Sequence, residues 1–159
     1  MLTLLVGMVV ASNTDESRRI EAVAKKIQDV QIQIRSTRLT LRRMDFEAQE
    51  PDNLLMVQEA LKAGAADYVT CYEQGFPQKP PPMIQVSLGV NITAHGHIRR
   101  DTGLSNGSYA RVDQPAFASQ PFERCIEQAL QHLRFAPPKD KKTGFFAQKI
   151  VLEPGSASH

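Results

Sequence analysis

Tryptophan is absent from this chain of 159 residues, and cysteine, histidine and net charge are all scarce. Two cysteines cannot staple a disulfide-dense scaffold, and their separation matches no zinc signature. His95 and His97 lie close together, but no third ligand stands near them, so no metal site is expected. A formal charge of +2 is too small to call for nucleic acid, and the basic residues are not interleaved with aromatics. There is no Gly-x-Ser-x-Gly elbow and no His and Asp in a suggestive order, so no catalytic residue, cofactor or enzymatic activity is expected. No apolar run approaches the roughly 20 residues of a membrane-spanning helix.

What remains is ordinary for a soluble globular protein: 42% hydrophobic and 23% charged, enough for one domain with a real core plus an appendage. Residues 1–12 form a hydrophobic leader or membrane anchor. Small Val9 and Ala11 suit a signal cleavage site, although the positive n-region is missing. An interfacial anchor and a buried helix are the other two readings.

Residues 13–50 carry a helical pattern. Asn13, Thr14 and Asp15 suit a helix start. Ile20, Val23, Ile27, Val30, Ile34, Leu41 and Met44 recur at three- and four-residue steps, with Thr37 as a polar slip. The spacing predicts a long amphipathic or coiled-coil helix that needs a partner. That partner is a second copy, a groove on another protein, or the chain's own second helix. Arg35, Arg38, Arg42 and Arg43 make a basic patch, either a solvated face or a site for an anionic partner. Pro51 sets a domain boundary after residue 50.

Residues 51–153 read as the folded domain, with 154–159 as a disordered tail. A helix bears Leu54, Val57, Leu61, Tyr68, Cys71 and Tyr72, and ends at Gly75 and the prolines 80–82. Ile84, Val86, Leu88, Val90 and Ile92 alternate as a strand, which turns at His95-Gly96. Ile98, Arg99 and Arg100 begin a thin return strand, and a long polar loop follows to residue 120. A second helix with Phe122, Cys125, Ile126, Leu130 and Leu133 precedes a closing strand over 145–152. The class is α+β, a small three-stranded antiparallel sheet in helix-β-β-α-β order. Cys71 and Cys125 sit one on each helix; they are bridged in an oxidising compartment, or are two buried thiols.

Cys71, Tyr72 and Glu73, then Val90, Ile92, Gly96 and Ile98, then Cys125, Ile126, Phe135 and Pro137, and finally Ile150 carry a resemblance. They resemble the AgmX/PglI C-terminal domain family, which is similar to the C-terminal domain of TonB. The resemblance covers roughly residues 61–153. It implies a bacterial envelope protein, periplasmic and associated with the inner membrane, that binds a protein partner through a sheet edge. The edges expected to serve are those near Ile98, Arg99 and Arg100, or near residues 145–152. A permanent subunit of a larger assembly, docked through the seam from Ile20 to Met44, is the alternative.

Overall fold

The computed structural model describes residues 11–25, 28–42, 51–99 and 108–155. Among these, helices span Ala11–Ala24 (α1), Pro51–Ala63 (α2), Ala65–Gly75 (α3) and Gln120–Gln131 (α4). Strands span Val30–Ile34 (β1), Thr37–Leu41 (β2), Ile84–Ile92 (β3), Tyr109–Val112 (β4) and Gly144–Pro154 (β5). The fold is α+β, as expected. The sheet has five strands rather than three, in the order β1-β2-β5-β3-β4, and every neighbouring pair is antiparallel.

β4 comes from the stretch expected to be a polar loop, and the expected return strand at Ile98 is not among the five. β1 and β2 come from the stretch expected to be a long helix. That helix stops at Ala24, and the chain then forms the β1–β2 hairpin, in which Ile34 faces Thr37 across Arg35-Ser36. Val30, Ile32 and Ile34 alternate strictly with Gln31 and Gln33, which is the period of a strand. A four-residue step such as Val30 to Ile34 fits both periods, so a seam that skips Ile32 and Leu39 reads as helical. Arg35, at φ 53°, takes the left-handed conformation that a two-residue hairpin turn demands. The hairpin and the residues beyond Pro51 therefore share one sheet, across the expected domain boundary. The long helix of 51–75 is likewise two helices, α2 and α3, meeting at Gly64.

β5 lies at the centre of the sheet. It pairs with β3 from Gly144, opposite Ile92, to Leu152, opposite Ile84, and with β2 from Ile150 to Pro154. The strand expected to close an edge thus has a neighbour on each side over residues 150–152, and Pro154, expected in the tail, is its last residue. Ile84, Val86, Leu88, Val90 and Ile92 of β3, with Leu39, Leu41, Ile150 and Leu152, face the helices and are fully buried. They pack on Leu54 and Leu61 of α2, Tyr68 and Val69 of α3, and Phe122, Ile126 and Leu130 of α4. The opposite face carries Gln85, Ser87 and Lys149, none of them buried.

Candidate functional site at the sheet edges

The two cysteine helices are joined. Cys71 of α3 and Cys125 of α4 form a disulfide, with their Cα atoms 5.7 Å apart. Phe76 packs edge-on against Phe122 beside this bridge, with ring centroids 5.4 Å apart. The Tyr72 hydroxyl donates to the Pro81 carbonyl at 2.7 Å, anchoring the proline segment. Burial, and then the charge of Glu153, push that phenol up to about 12.

The hairpin is tied to the same helix. Arg35 Nε donates to Glu73 Oε2 at 2.9 Å, and Arg35 Nη2 lies 2.7 Å from the same oxygen. Thr37, the polar interruption of the apolar pattern, donates to Glu73 Oε1 at 3.2 Å. The hydrogen bond from Arg35 holds the Glu73 carboxyl below its ordinary range, against a smaller opposing effect of burial; the Thr37 bond and the Arg35 charge add to the lowering. Glu73 therefore couples the cysteine motif to the hairpin turn.

The two edges of the sheet differ. On β4, the N–H of Val112 donates to Glu123 Oε1 at 2.8 Å, and the N–H of Ala110 donates to Glu127 Oε1 at 3.2 Å. Both carboxylates come from α4, one turn apart on one face. They occupy the donors that a further strand would need, which is one way a protein protects a sheet edge.

β1 has no such cover among the described residues. Arg42 N donates to Lys149 O and Gly155 N to Ser36 O, so the even-numbered residues of β2 turn toward β5. Its odd-numbered residues consequently bond to Val30, Ile32 and Ile34 of β1. The main-chain groups of Gln31 and Gln33 are left pointing outward. β1 also carries no charge and no proline within Val30–Ile34.

On the open face, Tyr109 and Phe145 stack with centroids 6.2 Å apart, and both are more than one-third exposed. Asp113 accepts from Ser87 at 2.7 Å, Gln85 at 2.8 Å and Lys149 at 2.9 Å. Burial pushes the Asp113 carboxyl upward, but the bonds from Ser87 and Lys149, the Lys149 charge and the Gln85 bond outweigh it, and the net shift is downward.

The residues expected to bind partners are dispersed. Ile20 is exposed on α1, whereas Val23, Val30 and Ile34 pack against the chain's own core and Leu41 is fully buried. Ile27, Met44 and Arg100 lie outside the described residues. Ile98 bridges to Ile92, and Arg99 N donates to Asn91 O at 2.8 Å, so the expected return after the Gly96 turn begins as a single bridge to β3. Of the stretch 145–152, residues 149–152 lie between β2 and β3 and offer no free edge, whereas residues 145–148 pair with β3 alone among the described residues. Sequence spacing does not single out Gln31 and Gln33; strict alternation in β1 is the signal that could find them. His95 and His97 are exposed at the hairpin turn. Among the described residues, no three His, Cys, Asp or Glu side chains cluster to hold a metal ion, and no helix is long and apolar enough to cross a membrane.

Comparison with family models, curated proteins and solved structures found no match. The resemblance to AgmX/PglI C-terminal domains gains no support from them.

Proposed function

We propose that this chain is a non-enzymatic protein-interaction module of the TonB/AgmX type, whose partner adds a strand at β1. The observation that carries the reading is the contrast between the edges: Glu123 and Glu127 occupy the outward donors of β4, while Gln31 and Gln33 present theirs. Strand addition uses main-chain hydrogen bonds for affinity and alternate side chains for specificity. The Cys71–Cys125 bridge favours an oxidising compartment, and with the apolar leader it supports the periplasmic side of a bacterial inner membrane.

A photo-crosslinking residue at Gln31 or Gln33, in the full chain in its native host, tests this. A protein adduct from either position, and none from Arg111 on β4, is expected. Adducts from Arg111 alone would overturn the reading.

A further inference from the structure

Resting on the reading of β1 as a docking edge, we infer that its occupant is β1 of a second copy, antiparallel about a two-fold axis through Ile32. Antiparallel pairing brings outward main-chain groups opposite one another. In β1 those belong to Gln31 and Gln33, so Gln31 of one copy pairs with Gln33 of the other, twice, and the strand is used over its full length.

The side chains fit the same register. Ile32 faces its own counterpart and Val30 faces Ile34 of the copy, joining half-buried apolar residues on the helix side. Gln31 faces Gln33, whose amides can both donate and accept. The strand is flanked by Asp29 and Arg35, so each end of the pair brings opposite charges together. Both residues have intrachain counter-ions, Arg42 and Glu73, yet their side chains remain 44% and 54% exposed. Such a self-complementary patch is what a two-fold interface requires. β4 cannot substitute, because its donors are engaged by α4.

Sedimentation equilibrium of the full oxidised chain tests this with two double variants. The unmodified protein dimerises, with a Kd of roughly micromolar order. Gln31→Lys with Gln33→Lys places like charges opposite each other and weakens the dimer at least about tenfold. Gln31→Glu with Gln33→Lys places opposite charges together only in the register above, and restores it. Unchanged far- and near-ultraviolet circular dichroism keeps folding apart from association. A monomer up to roughly millimolar concentration, or a dimer indifferent to the lysine pair, would overturn the inference. Should a monomer still give a Gln31 adduct with a different protein, self-pairing falls and the docking edge stands.

Discussion

Glu123 Oε1 accepts the main-chain N–H of Val112 at 2.8 Å, tying the outer strand on one flank of the sheet to the helix that follows it. With Glu127 on Ala110, this makes one edge closed by the protein's own side chains.

Replacing both, Glu123→Ala with Glu127→Ala, exposes the β4 donors. The expected loss is about 1 kcal/mol for each bond, with faster amide exchange at Ala110 and Val112 and a new tendency to associate. Glutamine at the same positions keeps an acceptor and should largely restore protection. Amide exchange and light scattering check both outcomes.

The disulfide closes a loop with a sequence separation of 54 residues. In the chain-entropy account, Cys71→Ala with Cys125→Ala should lower stability by about 4 kcal/mol. Denaturant unfolding, with and without reductant, measures it: reductant should weaken the unmodified protein and leave the double variant unaffected.

The Tyr109 ring lies against Gly89, and a side chain there would overlap the ring. Gly89→Val should destabilise by about 1–3 kcal/mol through overpacking. Adding Tyr109→Ala should recover part of that loss, and thermal unfolding of the single and double variants reads the coupling.

The Glu73 and Asp113 carboxyls are both held below their ordinary range. A depressed folded value contributes stability that is present above the unfolded value, about 4 for a carboxyl, and is lost as pH falls through the folded one. Stability should therefore decline on acidification below about pH 4.5. Glu73→Gln should be less stable at neutral pH and show a shallower acid limb. Both sites are partly exposed, so the effect is modest. Urea unfolding across acidic pH provides the check.

Most of the core domain is legible in sequence because its signals are unambiguous. The exceptions are β4, which falls in a stretch that reads as a polar loop, and the expected return strand, which is a single bridge at Ile98. Ile84 to Ile92 alternate without exception, and Phe122, Ile126 and Leu130 keep helical spacing. The β1–β2 hairpin is not, because Val30, Ile34 and Leu41 satisfy a helical seam by coincidence and no glycine marks the turn at Arg35-Ser36. The edges are illegible for a different reason. Which strand lies outermost is set by long-range pairing, and β5, last in sequence, inserts between β2 and β3. The Glu123 and Glu127 contacts depend on that same placement.

Residue-resolved hydrogen exchange on the dilute, monomeric protein tests the central claim most directly. Both outer strands are short, yet the Ala110 and Val112 amides should exchange slowly and the Gln31 and Gln33 amides quickly. Slow exchange at Gln31 and Gln33 under those conditions, or fast exchange at Ala110 and Val112, would contradict an open edge at β1 and a closed one at β4.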